Sequence, residues 1–107
     1  MGNSKFFDLN ELNPKAIVLE DFDSAYVGYG TRAGIDAPVA VYDVRQMLKL
    51  TAESLIAQPD WVAEQDVNTR DELENEAIGQ ALEYLDYNTI GVDYGEHGPI
   101  FLHYYLA

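Results

Sequence analysis

The sequence predicts a small α+β domain with the element order β-β-α-α-β, a three-stranded antiparallel sheet with two helices covering one face. Three observations predict it. Residues 25–31 and 39–42 are rich in aromatic and β-branched residues and lie on either side of a turn marked by Gly34 and Pro38. Two later segments, opening at Asp43 and at Thr69, combine a capping residue with apolar positions at helical spacing. An apolar run over residues 99–105 follows and closes the chain. At 107 residues the natural count is one domain spanning residues 1–107, a size that buries about 60–70 % of the surface its unfolded chain exposes.

Each element has its own local reason. Residues 1–13 mix polar residues with Phe6 and Phe7 and are expected to rest on the domain by those rings, with residues 1–5 frayed. Residues 16–19 form an apolar run after Pro14, read as a short strand or an extended lead-in. Residues 25–31 make the first strand, and residues 39–42 the second, antiparallel to it across a hairpin loop. Asp43 with Gln46 three residues later is a capping-box arrangement, and Val44, Met47, Leu48, Thr51 and Leu55 follow on one helical face. Pro59 stops that helix near Gln58. Residues 59–68 connect the helices with room for one helical turn, and Trp61 is their anchor on the core. Thr69 and Glu72 form a second capping box, opening a helix whose buried face is read as Leu73, Ala77, Ile78, Ala81, Leu82 and Leu85. That helix is expected to run to about Tyr87, with Asn88 or Gly91 near its end.

The charge excludes several functions. With 19 acids against 6 bases the net charge is −13, so the surface repels phosphate, and neither direct nucleic-acid binding nor an anionic membrane face is expected. The 48 % hydrophobic content is too high for a disordered acidic tail. The absence of cysteine excludes disulfides, thiolate metal sites and cysteine nucleophiles. No apolar run approaches a membrane span, and the N-terminus lacks the apolar core of a signal peptide, so a cytoplasmic protein is expected.

Catalytic and cofactor motifs find little support. Residues 28–33 fit G-x-G-x-x-A after a strand, yet Gly34, Ile35, Asp36, Ala37 and Pro38 cannot open the helix that a dinucleotide site requires. Asp93, Glu96 and His97 cluster in a glycine-rich loop, but a zinc site there would need carboxylates for most of its ligands, so a surface turn with a hydrogen-bonded His97 is expected. Ser24 and Ser54 have no neighbouring base. The expectation is a chain that is not an enzyme, has no cofactor and holds no metal.

What remains is the placement of the charge. Residues 1–59 carry 8 acids and 5 bases, for −3, whereas residues 60–107 carry 11 acids and only Arg70, for −10. Along the second helix, Glu72, Glu76, Glu83 and Asp86 fall close to one stripe, with Glu64 and Asp66 leading in. Carboxylates at i and i+4 stand about 5–6 Å apart at Cβ, a spacing comparable to that of successive phosphates. Tyr84 and Tyr87 flank the stripe, and tyrosine is favoured at contact surfaces because it offers area with a polar tip.

The residues Val41-Tyr42-Asp43, Glu76-Ala77, Glu83-Tyr84-Leu85-Asp86-Tyr87-Asn88-Thr89-Ile90-Gly91 and Gly95-Glu96-His97-Gly98-Pro99-Ile100-Phe101 resemble a group of small acidic proteins encoded by tailed bacteriophages, mostly unassigned in function. The similarity covers residues 22–102. Here the connection over residues 57–69 is longer than is usual in the group, and the chain extends past the last strand. The resemblance implies a phage or prophage origin and no catalytic residues to carry over. By analogy with anti-restriction and anti-CRISPR proteins, it implies an inhibitor acting in the host bacterial cytoplasm.

Together these readings lead to a DNA mimic. Glu72, Glu76, Glu83, Asp86, Glu64 and Asp66 would face the basic groove of a bacterial nucleic-acid-binding protein, a CRISPR or restriction effector, with Tyr84, Tyr87 and Trp61 as apolar anchors. The alternative is a phage assembly or housekeeping protein acting through protein–protein contacts at a sheet edge and its tyrosines, with acidity serving only solubility. A homodimer is compatible with either.

Overall fold

The computed structural model describes residues 7–103. The fraying expected of residues 1–5, and the continuation of the last strand to Tyr104 and Tyr105, fall outside them. In chain order the elements are α1 (Phe7–Leu12), a 3₁₀ segment (Glu20–Ala25), β1 (Tyr26–Gly30), β2 (Val39–Asp43), α2 (Val44–Ile56), α3 (Pro59–Glu64), α4 (Arg70–Leu85), a π-helical turn (Asp86–Ile90) and β3 (Ile100–Leu102). The α+β class holds, with four α-helices among the described residues where two were expected. The chain divides into two compact units, one comprising the residues up to Val44 together with those from Asp93 onward, the other Arg45–Val92.

In the first unit the sheet order is β1-β2-β3. β1 and β2 are antiparallel, as the hairpin spacing predicts, but β2 and β3 run parallel, so the sheet is mixed and not wholly antiparallel. Between β2 and β3 the chain passes through three helices, and a helical crossover can return to the end of the sheet from which it left, where a two-residue hairpin cannot. The pairing of β1 shifts between Tyr26 and Gly28, a bulge at Val27 that Gly28 permits with φ of 145°. The G-x-G pattern in this strand therefore marks a bend in the sheet. Residues 16–19 carry no regular element and form the extended lead-in.

β2 is central, and Val39, Ala40 and Tyr42 are fully buried on it. Consecutive buried positions on a strand mean that both of its faces are covered. Tyr42 meets Tyr26 of β1 edge-on, with ring centres 5.8 Å apart, and Phe101 of β3 in a tilted pair at 6.5 Å; Phe101 continues to Tyr94 at 6.4 Å. One aromatic ring thus ties all three strands together. Its hydroxyl is not orphaned, because it accepts a 2.6 Å hydrogen bond from the Leu19 backbone N–H.

In the helical segment, α2 and α4 form where the apolar spacing and the Thr69 capping signal predict them. Val44 and Met47 are buried on α2, with Ala52 also buried and Leu48, Thr51 and Leu55 half-buried. Thr51 Oγ1 donates back to the Met47 carbonyl at 2.9 Å. Pro59 occupies the first turn of α3, where its missing N–H costs nothing. Thr69 caps α4, its Oγ1 accepting from the Glu72 N–H at 3.2 Å, while the Glu72 carboxylate accepts from the Asn68 N–H at 2.8 Å. The second half of this capping box reaches one residue further back than the usual pattern. α4 buries Leu73, Ala77, Ala81 and Leu85, a strict i, i+4 stripe. Ile78 and Leu82, expected in that face, are instead 44 % and 45 % exposed; the apolar stripe is narrower than the run of apolar residues, so they fall on its flank. The helix then widens into the π turn, closed by the Gly91 N–H donating to the Asp86 carbonyl at 3.0 Å. A Cβ at position 91 would overlap that same carbonyl oxygen, which is why glycine stands there.

Burial pushes the Tyr42 hydroxyl up to about 12, the Leu19 N–H pulling the other way and Asp23 and Tyr26 adding to the rise. Tyr26 and Tyr94 are raised by burial as well. An unfolded tyrosine ionises near 10. The stabilisation is therefore complete below pH about 10 and is lost as pH rises towards about 12, where the unfolded chain has already released a proton that the fold retains. Chemical denaturation across that window should show stability falling by about 2–3 kcal/mol from this residue. Tyr42→Phe should flatten most of the fall while losing the Leu19 hydrogen bond at neutral pH. An unchanged slope in the variant would place the titration elsewhere.

Candidate functional site

The side chains singled out from the sequence lie mostly on α4, and the burial of its apolar stripe decides where they point. At about 100° per residue, Leu73, Ala77, Ala81 and Leu85 face the interior of the unit. Glu72, Glu76 and Glu83 then project within about 40° of one another on nearly the opposite side. All three are exposed, and Asp86 continues the row at the start of the π turn. Arg70 is the one base on the helix, and it is engaged by Glu74 at 3.1 Å, both side chains being well exposed. No cation is interleaved in the row itself. Like charges at i and i+4, as in Glu72 and Glu76, oppose helix formation by a few tenths of a kcal/mol. Asp71 and Glu72 offset part of this by complementing the positive end of the helix dipole.

The tyrosines divide by exposure. Tyr87 is 87 % exposed and Tyr84 55 %, large apolar areas left in water at the end of the acidic row. Trp61 is different. It is half-buried and packs against the small-residue cluster of Ala52, Ala77 and Ala81. Its Nε1–H donates to Gln80 Oε1 at 2.9 Å, and its carbonyl accepts from Gln65 Nε2 at 2.8 Å. The structure thus commits Trp61 inward, in line with its role as core anchor. Glu64 ends α3 and Asp66 stands in the α3–α4 connection, both exposed and leading into α4 without belonging to its row.

Gln80 is a residue the sequence reading passed over. Besides accepting from Trp61, its amide nitrogen donates to Gln65 Oε1 at 3.2 Å and to Glu76 Oε1 at 3.1 Å. One side chain therefore links the indole, the α3–α4 connection and the middle of the acidic row. The only signal for it in the sequence is the i, i+4 spacing of Glu76 and Gln80.

The loop of residues 93–98 is held by backbone and amide contacts. Asp93 Oδ1 accepts from the Gly95 N–H at 2.9 Å, and the His97 carbonyl accepts from the Ile17 N–H at 3.1 Å. Asn13, buried at the end of α1, donates to the Pro38 carbonyl at 2.8 Å and to His97 Nδ1 at 3.1 Å. Since an amide N–H can only donate, Nδ1 is the acceptor and the imidazole proton sits on Nε2. Glu96 stands 3.8 Å from that Nε2. The Arg32 guanidinium donates to the Gly98 carbonyl, and the Pro99 carbonyl lies 3.5 Å from it. These contacts give His97 a structural task, fastening the loop to α1. Among the described residues, no group of three or more His, Cys, Asp or Glu side chains is arranged to hold a metal ion, and no helix is long and apolar enough to cross a membrane.

Gln80→Ala should release the indole N–H and cost about 1 kcal/mol of stability. Because Trp61 is the sole tryptophan, its fluorescence reads the change directly, and a shift of emission to longer wavelength is expected. An unmoved spectrum together with unchanged stability would show that the bond to Gln80 does not hold the ring.

Compared with known proteins, this chain matches no family model, no curated protein and no solved structure.

Proposed function

We propose that this chain is a phage-encoded, non-enzymatic inhibitor that lays its acidic helix against the nucleic-acid-binding groove of a bacterial defence protein, a CRISPR or restriction effector. The observation that carries this reading is the row of Glu72, Glu76 and Glu83, continued by Asp86, on the exposed side of α4 with no cation among them. Negative charges strung along one side of a rigid helix imitate a phosphate backbone, and a groove lined with Lys and Arg would meet them as it meets nucleic acid. Tyr84 and Tyr87, exposed at the end of the row, supply the apolar area that charge alone lacks. Glu64 and Asp66 extend the negative field towards α3. The phage origin rests on the resemblance of residues 22–102, and the host cytoplasm follows from it as the place of action.

A second reading has an observation of its own. Among the described residues β1 lies at an edge of the sheet, and Val27 and Tyr29 on it are exposed. A phage assembly or housekeeping protein could use that edge for strand addition, with the acidic row keeping it in solution.

Capture from a bacterial lysate separates the two. The first reading expects a nucleic-acid-binding protein that is retained at low salt, released as salt rises, and blocked from its nucleic acid while held. Glu76→Lys with Glu83→Lys should slow that association by about 10- to 1000-fold at low salt, with the far-ultraviolet spectrum unchanged. Glu72 is spared in this test because its carboxylate caps the helix. Undiminished binding by the reversed variant sinks the mimicry reading, and salt-independent capture of phage structural proteins supports the second.

A further inference from the structure

The helical unit also carries a feature of opposite sign. Residues 45–92 contain ten acids and only three bases, Arg45, Lys49 and Arg70. All three bases line one groove of about 700 Å³ along α2 and α4. Its apolar lining comes from Leu48, Ala52, Ile56 and Ile78, and of the ten acids only Glu53 and Glu74 reach it. In a chain of charge −13, gathering every cation of the unit around an apolar floor makes a site suited to an acidic, apolar-striped helix.

The chain itself supplies such a helix. Beside the groove, the flank of α4 presents Asp71, Asn75, Ile78, Leu82 and Asp86, which at about 100° per residue fall within about 80° of one another. This stripe has exposed isoleucine and leucine in the middle and a carboxylate at each end. Its polarity complements the groove, which is apolar in its floor and carries three bases, Arg45, Lys49 and Arg70, against two acids, Glu53 and Glu74, at its rim. Ridge and groove share Ile78, so both belong to one continuous surface. A surface that carries a feature and its complement side by side is satisfied by a two-fold axis, each ridge entering the other copy's groove.

We propose that the occupant of this groove is the α4 ridge of a second copy of this chain, forming a symmetric dimer. The apolar area offered is small, so the dimer is weak and salt-sensitive, not obligate. Glu72, Glu76 and Glu83 lie off the ridge and stay exposed, so the dimer would display two acidic rows, with Asp86 the one carboxylate that row and ridge share. The proposal does not depend on what those rows bind.

Sedimentation of the full chain over a range of concentrations tests it. A monomer–dimer equilibrium is expected, shifting towards monomer with rising salt. Ile78→Glu should leave only monomer, and because Ile78 is already 44 % exposed the fold should survive, which circular dichroism checks. Glu76→Lys with Glu83→Lys, which disables the acidic row, should leave the dimer intact, so failure of one idea does not count against the other. The decisive arm uses two variants, Lys49→Glu with Arg70→Glu, and Asp71→Lys with Asp86→Lys. Each should be monomeric alone, and the two should associate when mixed, because both ridge–groove contacts then regain opposite charge. The proposal is overturned by a wild-type chain that is monomeric throughout, by a dimer indifferent to Ile78→Glu, or by charge-swapped partners that ignore each other. A monomer whose groove takes up an aliphatic carboxylate such as decanoate would equally overturn it and assign the groove to a small amphiphile.

Discussion

The burial of Leu73, Ala77, Ala81 and Leu85 along one side of α4 decides the character of every other surface of that helix. Two alanines in the middle of the stripe, both fully buried, leave no room for a larger side chain, so the helix is seated in one rotation. Turning it by a single position would push Glu72 or Glu76 towards the interior, where an unpaired carboxylate costs far more than the apolar contact returns. With the rotation set, the exposed side is acidic, one flank is apolar with carboxylates at its ends, and the other flank holds Gln80 against Trp61. The row, the ridge and the indole anchor are three consequences of one packing constraint.

The sheet unit works by a different economy. Its centre is Tyr42, whose ring meets neighbours from β1 and β3 and whose hydroxyl satisfies the Leu19 N–H. Around it the loop of residues 93–98 is tied down by Asn13, by Ile17 and by Arg32. The sequence reads this glycine-rich loop as a surface turn with a hydrogen-bonded His97, and in the structure His97 is bonded to Asn13 while Asp93 accepts from the Gly95 N–H. Buried or half-buried polar atoms that find partners of this kind add specificity to a small fold without implying chemistry.

Much of this was legible because local rules and tertiary packing agree. The caps at Thr69 and the apolar spacing of Val44, Met47 and Leu48 place α2 and α4, and the glycines of residues 28–30 mark the bend in β1. Three features were not legible, each because it depends on something non-local. The parallel pairing of β3 follows from the path of the whole helical segment, which leaves no trace in residues 100–102. Ile78 and Leu82 belong by type to a buried face and are excluded from it by the narrowness of the alanine stripe. Gln80 and Asn13 carry no motif, since their value lies in partners 19 and 84 residues away. The acidic row itself was fully readable, because exposure is the default for carboxylates on a helix whose other side is apolar.

If the row serves a partner, as proposed, it is held against its own repulsion, with no interleaved Lys or Arg to relieve it. The most direct measurement is the stability of the chain carrying Glu76→Gln and Glu83→Gln, taken by denaturant unfolding at low ionic strength. Glutamine at position 76 keeps an oxygen that can accept from Gln80, so the variant changes charge and little else. A rise in stability of a few tenths of a kcal/mol, fading as salt is added, is the result expected if the row exists for binding at the expense of folding. A fall in stability would contradict it, because the carboxylates would then be serving the fold that carries them.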